Sequence, residues 1–387
     1  MTNTVIESKE DSVEPTMAKK NLLNIIDPRE SWINLLLLFI PFAIYFNMTH
    51  NPGLAFITSM IAIMPLAWLM GKATEDIAMR TSESVGGLLN ATFGNAAEMI
   101  IAIMALYAAY KAGVGTDTAT TMMAVVQASL IGSILGNLLL VLGLSFFLGG
   151  LKHSTQKFSQ QASQTNGSLL LLAMVGLVIP AAFESTSSSS GDSSLVNLSH
   201  YTALILLGIY AMHLLFQLKT HVDLFATESH HDEESEMSKK QGILLLVIST
   251  IFVALMAEIL VHSIEFAADS FGLPPVFIGV ILLPLFGNAA EHFTALTVAR
   301  KDKMDLSIGI AIGSSIQIAL LIAPLTILIA WGLGLPLTLE FGLFETVAAF
   351  MAILVTNFIV QDGESNWLEG AMLVATYAII SIAFLFR

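Results

Sequence analysis

The chain contains no cysteine, and only 12 % of its 387 residues are charged. The absence of cysteine excludes disulfides, thiolate metal centres and cysteine nucleophiles. A soluble globular domain carries about 25 % charged residues, so this chain has too few charges to cover a water-exposed surface. Basic residues are especially scarce: 16 lysines and arginines against 30 acids leave no basic face for a nucleic acid. The nucleotide-binding pattern G-x-x-x-x-G-K-[ST] is missing as well.

What the chain has instead is a series of long apolar runs, and hydrophobic residues make up 55 % of it. A helix needs ~20 apolar residues to cross a bilayer core of ~30 Å, and these runs are too continuous for alternating barrel strands. We therefore predict an all-α polytopic membrane protein with eleven transmembrane helices. They are expected over residues 31–50, 54–79, 84–110, 117–149, 167–183, 198–218, 243–265, 275–299, 305–332, 338–360 and 367–386.

The distribution of basic residues predicts the orientation. With a cytoplasmic N-terminus and eleven alternating spans, fourteen of the sixteen lysines and arginines lie in cytoplasmic segments, and only Lys111 and Arg387 lie on the other side. Such a positive-inside bias is typical of helical membrane proteins. The C-terminus is then on the opposite side, and residues 1–30 form a polar cytoplasmic tail rather than a cleaved signal peptide. The short tail and the lack of cysteine favour a bacterial plasma membrane over a vacuolar membrane.

A five-residue segment occurs twice. Gly94-Asn-Ala-Ala-Glu98 recurs 193 residues later as Gly287-Asn-Ala-Ala-Glu291, and Gly132-Ser133 corresponds to Gly313-Ser314. The first pair lies in predicted spans three and eight, and because five is an odd number of spans, the copies run in opposite directions. We predict two inverted five-helix repeats after an extra first helix, an architecture of many secondary transporters. The expected divisions are a tail (1–30), the first helix (31–50), the first repeat (51–224), an acidic cytoplasmic linker (225–241) and the second repeat (242–387).

Glu98 and Glu291 lie near the middle of their predicted spans. A carboxylate at that depth costs at least ~2.5 kcal/mol, so the pair implies a compensating cation or protons. The preceding Gly94-Asn95 and Gly287-Asn288 weaken the helix, and broken turns free carbonyl oxygens at depth. Two carboxylates with such oxygens suit Ca²⁺ better than Zn²⁺ or Cu²⁺. The alternative is a structural pair of acids that shares protons without a metal ion.

Further polar residues of the spans form a predicted ion path, for which helix packing is the alternative role. Glu75 and Glu258 stand nearer the ends of their spans and are candidates for the carboxylates at the two mouths, or are interfacial acids. His292 directly follows Glu291 and either carries protons or packs as a neutral side chain. The remaining candidates are Gln127, Ser133, Ser314 and Gln317.

The predicted linker contains an acidic, histidine-bearing segment. It is either a solvated connection between the two halves or a surface site that collects or senses divalent cations. The candidate ligands of such a site are Glu228, Asp232, Glu233, Glu234 and Glu236.

Several of these motifs resemble those of a known family. The segments 87–98 and 287–292 are similar to the two signature repeats of calcium/proton exchangers, members of the calcium/cation antiporter superfamily, and the similarity extends to 127–133 and 313–317. The resemblance covers about residues 54–386. It implies an eleven-span fold, exchange of Ca²⁺ for H⁺, Glu98 and Glu291 as ion ligands, and an acidic segment matching 228–236. The different signatures of sodium/calcium exchangers are not present.

We therefore expect a secondary antiporter that exchanges Ca²⁺ for H⁺ by alternating access, with both ions competing for Glu98 and Glu291. A Na⁺-coupled Ca²⁺ exchanger and a passive cation channel are the alternatives, although inverted repeats within one chain favour alternating access over a pore. The chain has no H-E-x-x-H or complete H-x-x-E-H motif, so a metalloprotease is disfavoured and no enzymatic activity is expected. The expected partners are Ca²⁺, H⁺ and the lipid bilayer, with no cofactor, nucleotide or nucleic acid.

Overall fold

The computed structural model describes residues 22–81, 83–186, 193–224 and 237–387. Within these ranges the chain is helical apart from short connectors and one pair of two-residue strands. The predicted acidic cation site lies outside the described residues. Its members are Glu228, Asp232, Glu233, Glu234 and Glu236.

Several of the α-helices are joined end to end by short π-helical turns. The helices are α1 (Leu22–Ile26), α2 (Phe39–Met48), α3 (Pro52–Ala78), α4 (Glu83–Phe93), α5 (Ala96–Ala112), α6 (Asp117–Leu135), α7 (Leu142–Gly150), α8 (Gln160–Thr186), α9 (Ser193–Leu215), α10 (Lys239–Phe271), α11 (Pro275–Phe277), α12 (Leu283–Gly287), α13 (Ala289–Ala299), α14 (Met304–Gln317), α15 (Ala323–Gly332), α16 (Leu343–Ile359) and α17 (Trp367–Leu385). The strands are β1 (Gln156–Lys157) and β2 (Glu364–Ser365). The π-helical turns are Gly136–Val141, Phe216–Thr220, Ile278–Leu282 and Ile318–Ile322.

Eight continuous helices in the described part of the chain are long and apolar enough to cross a membrane. They are Pro52–Ala78, Asp117–Gly150, Gln160–Thr186, Ser194–Thr220, Lys239–Phe271, Met304–Gly332, Leu343–Asp362 and Trp367–Leu385. The pair Pro275–Gly287 and Ala289–Ala299, bent by 59°, forms a ninth if it is one broken span. The helical membrane architecture is thus confirmed. The predicted spans 31–50 and 84–110 fall on a shorter apolar helix, Trp32–Met48, and on the successive helices α4 and α5. The count of eleven stays a prediction.

Local capping explains where two of the long helices begin. At α10 the Ser238 hydroxyl accepts from the backbone N–H of Gln241, whose side chain accepts in turn from the backbone N–H of Ser238. Asn366 and Glu369 form the same reciprocal arrangement at α17. Such capping boxes satisfy N–H groups that a helix start leaves unpaired. They set the start of α10 at Lys239, so this helix is longer at both ends than the predicted span 243–265.

The predicted span 338–360 begins too early. Helix α16 starts at Leu343, and residues 333–342 form a mostly non-helical connector. Its buried hydrophobic side chains alternate along the chain, as in an extended segment, at Leu335, Leu337, Leu339 and Phe341. An apolar run by itself does not distinguish a buried extended segment from the first turns of a helix, which explains the error.

Close helix packing holds the two halves of the chain together. Helices α3 and α10 pack extensively against each other, and so do α7 and α17. At the second contact a Cβ added to Gly370 would overlap the backbone nitrogen of Phe147, and one added to Gly143 would lie 2.9 Å from Leu373 Cβ. Small residues of this kind let helix backbones approach closely within a membrane. One continuous cluster of buried hydrophobic side chains runs through both halves.

The connectors gather on two opposite faces of the helix bundle. On one, β1 pairs antiparallel with β2, and the Gln156 amide donates to the Ala299 carbonyl and the Asp302 carboxylate. On the other, the backbone N–H of Leu339 donates to the Ser199 hydroxyl. We call the first the basic face and the second the opposite face. The basic face carries Lys152, Lys157, Arg300, Lys301 and Lys303. The connectors on the basic face are those that the distribution of basic residues predicts to be cytoplasmic. The connectors on the opposite face are those predicted to lie on the other side of the membrane.

Candidate ion-binding site

Both Gly-Asn-Ala-Ala-Glu segments fall where a helix breaks. Helix α4 gives way to α5 across Gly94-Asn95, and α12 gives way to α13 at Asn288. Glycine and asparagine are poor formers of helix interior, which favours a break at these positions. Asparagine just before a helix often caps it, but neither Asn95 nor Asn288 does so with its side chain. The breaks therefore place two helix N-termini, the positive ends of the peptide dipoles, inside the protein.

Glu98 and Glu291 lie in the first turns of α5 and α13. The two predicted acids lie within range of electrostatic interaction with each other. The Ser314 hydroxyl donates to Oε2 of Glu291 over 2.6 Å. Oε1 of Glu98 is buried and has no hydrogen-bond partner within the described residues. A buried carboxylate oxygen without a donor is unfavourable unless a cation, a proton or water compensates it.

The asparagines of the two segments are buried as well, with Asn95 fully enclosed and Asn288 exposing 2 % of its surface. Nδ2 of Asn95 donates to Oε1 of Gln317 over 2.5 Å, which ties the start of α5 to α14. Oδ1 of Asn95 and both polar side-chain atoms of Asn288 find no partner elsewhere in the described ranges. A Cβ added to Gly287 would lie 3.9 Å from Ile101 of α5, so the second break approaches the helix that follows the first.

Ser133 and Ser314 occupy corresponding places on α6 and α14. Ser133 is buried, as is Asn137 one turn later. Shortly after each serine the helix changes to a π-helical turn, over Gly136–Val141 and Ile318–Ile322. Such turns are rare and are frequent at functional sites. His292 follows Glu291 in α13, and its buried Nε2 has no partner in the part of the chain that the structure describes.

The two predicted mouth residues lie on long helices. Glu75 is exposed near the basic-face end of α3, and Glu258 is exposed on α10. Glu258 lines a cavity of about 220 Å³ bounded by α5, α6 and α10. The polar side chains that share this cavity include Tyr107, Lys111, Thr118, His262 and Glu265.

Gln127 contacts the connector 333–342. Its amide nitrogen donates to the carbonyls of Thr338 and Glu340 over 3.0 and 2.8 Å, so Gln127 holds this segment against α6 on the opposite-face side. In the same connector, burial raises the pKa of Glu340, and the carboxylates of Glu184 and Glu345 add to the effect by repulsion. This side of α6 is therefore covered by a segment that is packed and bonded in place.

Asp76 is a buried acid that the sequence patterns did not reveal. It exposes 2 % of its surface, and its carboxylate accepts from the backbone N–H of Met237 over 2.9 Å and from Nε of Arg80 over 3.1 Å. These bonds fix the chain just before α10 to the end of α3. In the sequence, the ion pair was indicated only by the spacing of Asp76 and Arg80, which stand four residues apart on a helix.

The site combines two electrostatically interacting carboxylates, a serine hydroxyl and asparagine oxygens at the ends of two broken helices. Oxygen donors of this kind bind hard divalent cations such as Ca²⁺. Ionisable groups at this depth in a membrane protein are also typical of proton pathways. The arrangement is therefore suited to bind either a divalent cation or protons.

Comparison with known proteins identifies the class to which this fold and site belong. The model of the family "Sodium/calcium exchanger protein" matches residues 52–219 and 241–386. The chain therefore belongs to this family of membrane transporters.

Its relatives narrow the assignment. A Ca(2+)/H(+) antiporter of Aphanothece halophytica is 44 % identical over 370 residues, which cover 91 % of this chain and 95 % of that protein. Vacuolar cation/proton exchanger 3 of Oryza sativa subsp. japonica is 44 % identical over 368 residues, covering 92 % and 85 % of the two chains. The solved structure of native YfkE is 38 % identical and superposes with a TM-score of 0.78, covering 92 % of this chain and all of YfkE. Within its family the chain thus groups with the calcium/proton exchangers, and the resemblance found in the sequence is confirmed.

Proposed function

We propose that the protein is a secondary antiporter that moves Ca²⁺ across a membrane in exchange for H⁺ by alternating access, with Glu98 and Glu291 as the shared binding site. The observation that carries the proposal is the placement of two carboxylates, within electrostatic range of each other, in the first turns of two broken helices. The unpaired buried atoms of Glu98, Asn95 and Asn288 support it, because a bound cation would compensate their lost hydrogen bonds. The name of the Aphanothece halophytica relative gives the same pair of ions, and that of the Oryza sativa relative gives a cation and a proton.

Competition for one site couples the two fluxes. Two carboxylates neutralise one Ca²⁺, and protons neutralise the same carboxylates equally well. Desolvation penalises the two carboxylates when both are ionised and no ion is bound. The protein therefore changes from one open side to the other most readily when the site holds Ca²⁺ or protons. Ser314 orients one carboxylate, and the oxygens of Asn95 and Asn288 and of Gly94 and Gly287 supply neutral ligands.

The same proposal includes eleven spans in two inverted repeats, 51–224 and 242–387, which follow the first helix 31–50 and are joined by the linker 225–241. The paired helix breaks and the paired π-helical turns after Ser133 and Ser314 support this division. The basic face is then cytoplasmic, with the N-terminus on that side and the C-terminus on the other. We propose a bacterial plasma membrane rather than a vacuolar one.

The remaining polar residues receive roles from their positions. Glu75 and Glu258 are the carboxylates at the basic-face and opposite-face mouths. His292 carries protons beside Glu291, since its Nε2 is buried without a partner among the described side chains. Gln127 and Gln317 hold the walls of the path through the bonds given above, next to Ser133 and Ser314.

The decisive experiment is Ca²⁺ flux in sealed vesicles that contain the purified protein, with a pH gradient or a Na⁺ gradient imposed in turn. We expect Ca²⁺ to accumulate against its own gradient when the pH gradient is present, and a protonophore to abolish the uptake. Accumulation driven by Na⁺ alone would instead identify a Na⁺-coupled exchanger. Equilibration of Ca²⁺ with neither gradient would identify a passive channel.

Neutralising the acidic segment should leave exchange in place. Glu228, Asp232, Glu233, Glu234 and Glu236 belong to a polar stretch of the sequence, and we propose that it is hydrated, so that water and salt screen their charges. With all five changed to Gln or Asn, we expect pH-driven uptake to persist, with an altered dependence on Ca²⁺ concentration if the segment senses the ion. Uptake is measured over a series of Ca²⁺ concentrations at two ionic strengths. Complete loss of transport in a folded, inserted variant would show that the segment is essential.

A further inference from the structure

The opposite-face half of α6 is closed by a tight seam of small residues. A Cβ added to Gly132 would overlap the carbonyl oxygen of Val280, and one added to Gly279 would lie 2.6 Å from Cβ of Ala128. All four residues are buried. The π-helical turn Ile278–Leu282, which precedes α12 and the Glu291 break, therefore packs on α6 with backbone against backbone. A seam this close tolerates glycine and alanine and excludes larger side chains.

The sequence repeats the elements of this seam in the other half. The correspondence of Gly94 with Gly287 places Gly86 of α4 where the second half has Gly279. The correspondence of Ser133 with Ser314 places Gly309 and Gly313 of α14 where the first half has Ala128 and Gly132. A matching seam between α4 and α14 would thus be lined by glycine on both sides.

That second seam is open in this structure. Gly309 is exposed and Gly313 is partly exposed, and a Cβ added to either would meet no atom of the described residues within 4 Å outside its own helix. Helix α4 packs instead on α3 and on the π-helical turn Phe216–Thr220. A Cβ at Gly86 would lie 2.9 Å from the carbonyl oxygen of Ala78 at the end of α3.

We propose that the face of α14 that carries Gly309 and Gly313 is a docking surface for α4, and that docking closes the basic-face half of the path to Glu98 and Glu291. Two observations carry the inference: the filled seam on α6, and the exposed, glycine-lined counterpart on α14. The structure is then the state open to the basic face, and the two seams alternate. The inference rests on the proposed alternating access, and it adds the residues that form the gate.

The filled seam predicts a graded response to substitution. Ala128 accommodates a methyl group at the position that corresponds to Gly309, so Gly309→Ala should transport nearly as well as wild type, whereas Gly309→Leu should not. At Gly132 there is no room for a methyl group. Because the space around Gly313 is open in this structure, Gly313→Ala should leave the present state intact. The added methyl group should, however, prevent the second seam from closing. We expect Gly313→Ala to lower the rate of exchange about tenfold or more, the size of effect that overpacking of a tight contact produces. The matched control is Gly208→Ala on α9. A Cβ added to Gly208 would also meet no atom of the described residues within 4 Å.

Thiol labelling tests the direction of the effect. Because the chain has no cysteine, Gly309→Cys provides a single reporter on the docking surface, and its labelling by a membrane-impermeant maleimide from the basic face measures how often the seam is open. Adding Gly313→Ala should raise the labelling rate. Adding Gly132→Ala, which disrupts the filled seam, should lower it by favouring the other state. Gly208→Ala should leave it unchanged.

Opposite shifts of one reporter are not expected from a general loss of stability, so they would support two alternating seams. Wild-type exchange by Gly313→Ala, or shifts of the same sign from Gly313→Ala and Gly132→Ala, would overturn the inference. If Gly132→Ala does not fold, the Gly313→Ala arm still decides, because that site is open in the folded state. Labelling needs no transported ion, so absence of pH-driven Ca²⁺ uptake in the wild type would refute the proposed function without deciding the seam.

Discussion

Replacing either Glu98 or Glu291 by Gln should reduce pH-driven Ca²⁺ uptake to background. The change keeps the size of the side chain and removes one of the two charges that neutralise the ion. Ca²⁺ in the site would then carry an uncompensated positive charge, and breaking a buried ion pair in this way costs about 3–5 kcal/mol. At about 1.4 kcal/mol for each factor of ten, transport should fall at least about a hundredfold. Uptake of radioactive Ca²⁺ into vesicles with an imposed pH gradient measures the effect.

The matched control is Glu364→Gln on the basic face. Glu364 is exposed and pairs with Lys157 over 3.6 Å, and exposed pairs of this kind contribute little to stability. This variant loses the same charge far from the site in sequence and should transport like the wild type. Each Glu98 or Glu291 variant must also insert normally, which its elution as a single folded species in detergent would show. Near-normal uptake by either of them would contradict the assignment of the site.

Much of the site was predictable because its residues carry a local signal. Glu98 and Glu291 stand out as acids in apolar runs, and the repeated Gly-Asn before them predicts the helix breaks that the structure contains at both places. The proximity of the two carboxylates followed from one further step, the matching of two segments 193 residues apart. A buried acid within a membrane span is energetically unfavourable because of desolvation, so its occurrence at two matching positions of one chain indicates a function.

Other contacts gave no local signal because the two residues that form them are distant in the chain. Gln127 looks like a lining residue in the sequence, yet its amide binds carbonyls of a connector more than 200 residues away. Asp76 looks like an ordinary acid at a helix end, yet it is buried and accepts from the backbone of Met237. Whether an interior polar side chain faces the ion path or holds a neighbouring segment depends on packing, which hydrophobic periodicity does not report.

The ends of the helices were the least predictable part of the fold. Apolar composition continues through the connector 333–342, so the predicted span 338–360 included residues that are extended in the structure. In α10 the polar residues Lys239, Lys240 and Gln241 extend the helix beyond the apolar run, because a capping box at Ser238 and Gln241 supports its first turn. Hydropathy locates the part of a helix that crosses the membrane, while capping chemistry decides where the helix begins.

Lowering the pH on the side from which Ca²⁺ binds should weaken its apparent affinity steeply. If protons and Ca²⁺ compete for Glu98 and Glu291, protons occupy the carboxylates at low pH and must leave before the ion can bind. Each proton displaced per Ca²⁺ changes the binding constant by about tenfold per pH unit, so displacement of two would give about a hundredfold. The sign is fixed: affinity falls as pH falls, and it becomes constant at alkaline pH, where no proton remains to be displaced.

Two measurements on the purified protein in detergent check this dependence. Equilibrium binding of radioactive Ca²⁺ at a series of pH values and constant ionic strength gives the slope. Addition of Ca²⁺ to a weakly buffered sample with a pH indicator gives the number of protons released, which must equal the slope at that pH because binding and proton release are linked. Glu364→Gln should give the same slope and the same release as the wild type. An affinity that stays flat from acidic to alkaline pH, with no proton release, would exclude competition at a shared site and would require separate sites for Ca²⁺ and H⁺.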